Sequence, residues 1–332
     1  MNRLKIAILG LLTACASQHQ NEVLVQNVGF AQGSTYNVLY MTSNGTDYQW
    51  EVDSILAEMD SSLSTYQDYS LISKLNQGDT SIFLDEHFVK VFNAFQSVAD
   101  STHGKFDCTI APIVNAWGFG FTERTILDSS LIQSLLQKVG YQKVRLKGDS
   151  LLRNPHLLQL DFNALAQGYT VDVIATFLDS MGLQNYMVEV GGELKVKGEN
   201  ANGKNWRIGI DKPSPEIDEN NRFQTVVELH NVALATSGNY RNFYLEDGRK
   251  YSHTIDPETG YPVKHKLLSV TVITEDCMLA DAFATAFMVM GVQKTKRYLK
   301  THPELDAYLI YTNRKGEWEI WATPAFSQLQ VN

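Results

Sequence analysis

Asp281 and Thr285 stand four residues apart in TEDCMLADAFATAFMVMG, residues 274–291. A helix would carry both on one face, among small and apolar neighbours. A carboxylate and a hydroxyl in such surroundings need a partner, because an unpaired buried charge is costly. A magnesium ion would serve, since it takes oxygen ligands, commonly one or two carboxylates with phosphates and waters. The helix itself offers another solution, with Thr285 bonding back to the Asp281 carbonyl. His253 is the second chemical candidate. It lies within the alternating run Tyr251–Ile255, just ahead of Asp256-Pro257-Glu258-Thr259-Gly260, whose Pro, Gly and acidic residues spell a turn. The residue could sit at the rim of a site or simply shape a hairpin.

Three further segments concentrate small residues, carboxylates and hydroxyls. In LDFNALAQGYTVD, residues 160–172, a strand ending at Asp161 feeds a helix whose first turn holds Asn163, Ala164 and Ala166. Unpaired N–H groups and the dipole make such a start an anion site, or else a close contact with a sheet. FDCTIAPIVNAWGFG, residues 106–120, sets glycines around aromatics, which suits either close approach to a flat ligand or a packed loop. Gly191-Gly192 in EVGGELKVKG reads most simply as a tight connection between strands.

These segments must be held by the elements around them. Hydrophobic periodicity predicts strands at 22–31 and 35–41, a helix of about sixteen residues from Asp47, and another from Asp85 to Gly104. A helix at 129–139 follows, then a strand at 157–161 leading into a helix over 163–181. Strands are expected at 185–190, 193–198 and 205–211, and beyond a polar loop at 224–236, 239–246, 249–255 and 267–274. Helices at 277–290 and 292–301 and a hairpin at 313–316 close the chain. Strands and helices mix without strict alternation, which predicts an α+β architecture.

The N-terminus is different in kind. MNRLKIAILGLLTAC places Arg3 and Lys5 before an apolar run and ends in Leu12-Thr13-Ala14-Cys15. That is the layout of a secretory signal, and its ending resembles the bacterial lipoprotein signal, whose Cys is lipidated. The expectation is a signal over 1–14, a lipidated Cys15 with a tether to residue 22, and a catalytic domain over 23–332. A lipid would hold the chain to a membrane without a spanning helix. Removing Arg3 and Lys5 takes the formal charge from −9 to −11, which argues against a nucleic-acid partner. Cys108 and Cys277 could pair in an exported protein or stay as buried thiols. No Cys/His cluster suggests structural zinc.

Taken in order, STYQDYS (64–70), FDCTIAPIVNAWGFG, LDFNALAQGYTVD, VEVGGELKVKG, ALATSGNYRNF (233–243), YSHTIDPETGYPV and ADAFATAFMVMG resemble the ApbE family of FAD:protein FMN transferases, over roughly residues 28–322. The resemblance implies one two-lobed catalytic unit of mixed sheets with packed helices, of ApbE or T-fold-like type. It implies Mg²⁺ on Asp281, Thr285 and the Ala164 carbonyl. FAD, the substrate, would meet Gln32, Tyr66, Asp107, Cys108, Thr109, Asp161, Gln167 and the backbone at Ile255. A Thr or Ser hydroxyl of an acceptor protein would then receive FMN while AMP leaves, with His253 expected as base. Membrane redox subunits, of sodium-pumping quinone reductase or Rnf-type complexes, are the implied acceptors. A periplasmic, inner-membrane location follows from them. Two positions depart from the family wording: Gln32 replaces a common Met, and Gln167 a frequent Lys. The same site could instead hydrolyse FAD to FMN and AMP, or store FAD without chemistry.

Overall fold

The computed structural model describes residues 22–79, 81–120, 127–148, 150–154, 158–214, 218, 221–239, 243–246 and 249–331. The expected signal, Cys15 and the expected tether up to residue 21 lie outside them. The centre is an eight-stranded antiparallel sheet. Its strands run in the spatial order Val23–Ala31, Ser34–Thr42, Tyr186–Val190, Glu193–Lys197, Val232–Gly238, Leu267–Thr274, Asp306–Thr312 and Trp318–Ala322. The first two join through Gln32 and Gly33, both at positive φ (52° and 73°), as a two-residue hairpin turn requires.

Alternation along these strands sends side chains to two different cores. On one face lie the helices Gln49–Leu63, Asn163–Ser180 and Cys277–Leu299. Val270 and Val272 point into that core with Leu165 and Phe287. On the other face Leu194, Val196 and Ile273 meet Trp206, Val227 and Phe326 of a three-stranded sheet and its short helix. The result is three layers, sheet on sheet on helices. A satellite core of Ile113, Trp117, Ile132, Val139 and Ile255 sits under the short helices Ala111–Ala116 and Ser129–Leu136. Cys108 and Cys277 are buried free thiols in different cores. Among the described residues no helix is long and apolar enough to cross a membrane.

The α+β expectation holds, and several boundaries move. Residues 158–161 form no strand. Leu158, Leu160 and Phe162 are buried in strand-like alternation. Their backbone, however, bonds to the Asn76 side chain (2.7 and 2.8 Å) and, through Asp161 N–H, to the Cys108 carbonyl (2.8 Å). The run predicted at 224–236 is two strands in different sheets, Phe223–Leu229 and Val232–Gly238, parted at Asn231 with φ 55°. The run 249–255 stops at Ser252, and Ile255–Asp256 pairs separately with Tyr261–Pro262. Of the strand predicted at 239–246, residues 243–246 form one and 240–242 lie outside the described residues. The last long helix, Cys277–Leu299, is broken at Gly291 (φ 71°), as two predicted helices imply. The short helices Leu71–Asn76, Ala111–Ala116 and Pro324–Leu329 and the hairpin Val144–Lys147/Ser150–Arg153 carry too little periodic pattern to be foreseen.

The helices Asn163–Ser180 and Cys277–Leu299 meet at Gly168. A Cβ built there would lie 2.5 Å from the Cys277 carbonyl oxygen and 2.9 Å from Met278 Cα. Both are backbone atoms that cannot swing aside, so Gly168→Ala must push the helices apart. The expected cost is about 1–3 kcal/mol, seen as a thermal midpoint several degrees lower. An unchanged midpoint would show that the crossing tolerates a methyl group.

Candidate active site

Two adjoining cavities open over that crossing. The outer one, about 600 Å³, is bounded by Gln32, Gly33, Met59, Leu63 and Ala166. The inner one, about 450 Å³, is bounded by Asp107, Cys108, Asp161, Ala164, His253, Ile255, Asp281 and Thr285. Tyr66, Asn163 and Gln167 line both, so the pair forms a continuous groove of a size suited to an extended cofactor.

The inner floor is made by the crossing helices. Asp281 is only 6% exposed, and its Oδ2 has no hydrogen-bond partner. Burial pushes its pKa up to about 7, against the opposing pull of the Gly168 N–H that faces it. That N–H would ordinarily serve the carbonyl of Ala164, four residues back. Ala164 itself departs from helical geometry, at φ −89° and ψ 19°. One turn beyond Asp281, Thr285 Oγ1 lies 3.1 Å from Ser237 Oγ of the neighbouring strand. The back-bond to Asp281 is therefore not the contact that Thr285 makes. A carboxylate oxygen, a hydroxyl and a tilted carbonyl in one cavity suit a small hard cation that keeps further sites for water and phosphate. Among the described residues no three His, Cys, Asp or Glu side chains cluster to hold a metal, so a cation here would rely on this mixed oxygen set. Glu193 is also buried, and burial followed by the charge of Asp281 holds its carboxyl well above the usual range.

The walls come from distant segments. His253 sits on the bend between Ser252 and Ile255 and lies edge-on to Phe119, with ring centroids 6.4 Å apart. It shares the cavity with Ile255 although no single strand carries both. The turn after it is pinned by Lys105, whose Nζ reaches Asp256 at 3.0 Å and Glu258 at 2.7 Å. Burial alone would depress the Lys105 ammonium, and its bonds to Glu258 and Asp256 outweigh that and raise its pKa. The Gly260 carbonyl accepts from Trp117 Nε1 at 2.8 Å, fixing the far end of the turn.

Among the residues expected at a flavin nucleotide, Tyr66 and Gln167 stand where the two cavities meet. Gly191 makes room for Gln167, since a Cβ there would lie 2.4 Å from its Nε2. Gln32 is tethered by Nε2 to Thr170 Oγ1 (2.8 Å), while its Oε1 is buried without a partner. Asp161 accepts from Asn163 N–H at 2.8 Å, and burial raises its pKa. Asp107 lines the cavity, but its oxygens already accept from Thr109 and the Tyr141 N–H. Thr109 is fully buried and accepts from Gly140 N–H. Cys108 is a buried thiol whose pKa burial raises well above normal, which leaves it inert as a nucleophile.

The comparisons with known proteins agree on one family. The ApbE family model matches residues 32–309. The chain belongs to the ApbE family. A Vibrio cholerae relative called FAD:protein FMN transferase is 36% identical over 297 residues, spanning 87% of both chains. One of the same name from Escherichia coli K12 is 31% identical over 332 residues, covering 96% of this chain and 92% of the relative. The solved flavin transferase ApbE from Vibrio cholerae superposes with a TM-score of 0.83 at 34% identity, over 93% of this chain and 99% of that one. The apo flavinyl transferase ApbE of Pseudomonas stutzeri gives the same TM-score and identity, over 93% and 97%. Within this ApbE-family site, reasoning from the sequence overlooked Ser237, Lys105 and Phe119 as lining residues. Ser237 lay in a quoted segment, but only strand pairing brings it to Thr285. Lys105 was detectable as a lone cation next to Phe106-Asp107.

Asp281 yields a test of sign. Its folded-state pKa of about 7 exceeds the ordinary 3.8. Between those values the folded chain retains a proton that the unfolded chain has released, so stability falls as pH rises through that window. The thermal midpoint of the metal-free protein should therefore drop between pH 5 and pH 8. Asp281→Asn should lessen that drop, leaving the part due to buried Glu193, and raise the midpoint at pH 8. Parallel pH profiles for the two proteins would contradict the assignment.

Proposed function

We propose that this chain transfers FMN from FAD to a Thr or Ser hydroxyl of an acceptor protein. The attacking oxygen forms a bond to the FMN-side phosphorus, the pyrophosphate P–O bond breaks, and AMP departs. One observation carries the reading: the unpartnered Asp281 carboxylate oxygen shares its cavity with Thr285, Ala164 and His253. Membership in a family whose relatives bear that transferase name supports it. Mg²⁺ bound by Asp281, Thr285 and the Ala164 carbonyl would neutralise charge developing on the pyrophosphate oxygens.

The remaining roles belong to the chain's own residues. His253 takes the proton of the acceptor hydroxyl, held in place by Phe119 and by the turn that Lys105 pins. Tyr66 and Gln167, standing in both cavities, position the dinucleotide across the junction. Gln167 supplies hydrogen bonds and no charge, so the phosphates depend more on the cation than they would with a lysine there. The proposal extends to the N-terminus, where Cys15 is lipidated and anchors the domain on the periplasmic side of the inner membrane, near membrane redox subunits as acceptors. Cys15→Ala should then release the protein into the soluble fraction and abolish palmitate labelling.

The test of the chemistry combines the protein with FAD, Mg²⁺ and an acceptor carrying an exposed Thr or Ser. Flavin fluorescence on the acceptor in a denaturing gel reads transfer. Free FMN and AMP without label would mean hydrolysis, and unchanged FAD a carrier. His253→Ala should slow labelling by about a hundredfold to ten-thousandfold while FAD affinity stays within about threefold. Equal loss of both would remove His253 from the proton-transfer role.

A further inference from the structure

Three pairs of residues, spaced one turn apart on each helix, meet where Asn163–Ser180 crosses Cys277–Leu299. Ala164 and Thr285 line the cavity together. Gly168 N–H faces the Asp281 carboxylate. Asp172 closes the series, accepting from Cys277 N–H at 3.1 Å through Oδ1 and from Met278 N–H at 2.9 Å through Oδ2. The rungs 164, 168 and 172 thus oppose 285, 281 and about 277, each about 6 Å from the next along its helix.

The last rung has an unusual origin. A helix leaves its first N–H groups without internal partners, and a side chain just before the helix normally takes them. Asp276 occupies that position here, yet it makes no side-chain cap. The cap comes from another helix instead, through a carboxylate that Lys195 neutralises at 2.9 Å. Asp172 is well buried, with its side chain 14% exposed. It therefore fixes the start and rotational setting of the helix on which Asp281 stands one turn later.

We infer that Asp172 is a positioning residue for the cation site: it sets Asp281 by holding the first turn of the helix, without touching the cation. The inference rests on the reading of Asp281 as a metal ligand. Partners that orient metal ligands typically change metal affinity ten- to a hundredfold when lost. Asp172→Asn keeps the size and one acceptor oxygen but loses the second acceptor and the charge paired with Lys195.

The experiment titrates Mn²⁺ alone into the full chain by calorimetry and records thermal midpoints alongside. Asp172→Asn should weaken Mn²⁺ binding about tenfold. Lys197→Met breaks a pair with Asp179 of the same helix and should lower the midpoint at most, leaving Mn²⁺ affinity unchanged. A lowered midpoint in Asp172→Asn with unaltered Mn²⁺ affinity overturns the inference and leaves Asp172 a purely structural cap. Asp281→Asn should abolish binding. If it binds Mn²⁺ as the unsubstituted chain does, or if that chain binds none, the ligand reading itself fails, and the Asp281 arm distinguishes this from failure of the Asp172 role. A second measurement needs no variant, because coupling is reciprocal. Mn²⁺ should slow hydrogen exchange at the Cys277 and Met278 amides about tenfold, and exchange rates indifferent to Mn²⁺ overturn the inference even if Asp172→Asn does not fold.

Discussion

Backbone meets backbone where Gly168 lies against Cys277, and the whole catalytic arrangement depends on that contact. The absence of a Cβ lets two helices approach closely enough for an N–H of one to face a carboxylate of the other. On the same helix one turn earlier, Ala164 departs from helical geometry. The cost of burying a charge with one oxygen left unpartnered shows in the raised pKa of Asp281.

The sheet serves this crossing as a platform. Its strands Glu193–Lys197 and Val232–Gly238 run beneath the helices and supply Lys195 to Asp172 and Ser237 to Thr285. The outer layer of three strands touches none of these groups and fills the opposite face with Trp206, Val227 and Phe326. The division of labour is plain along Glu193–Lys197, where Leu194 and Val196 pack on the outer layer and Lys195 reaches Asp172.

How much of this could be read in the sequence depended on whether a signal was local. The pairing of Asp281 with Thr285 was legible because helical periodicity alone puts them on one face. The helix starting at Asn163 was legible for the same reason. Ser237 was not, since strand pairing across thirty residues and more decides its neighbour. The run 158–161 alternates as a strand does, yet its partner is the amide of Asn76, which no pattern within the run could announce. His253 looked like a strand residue because the alternation continues through it, whereas the turn it precedes pairs as a separate two-residue bridge. Asp172 stood inside a quoted segment, but its meaning lies in the missing cap of a helix a hundred residues later.

The wall that Lys105 and Asp256 complete joins positions 151 residues apart, and the groove as a whole draws on segments from Gln32 to Val289. Contacts across such separations must repay a large loop-closure entropy. A chain emerging from its N-terminus has no groove until the helix bearing Asp281 and Thr285 has docked against the one synthesised a hundred residues earlier. Whatever binds there stabilises the finished molecule and no partial one. Ligand occupancy in this protein is therefore also a check on its own completeness.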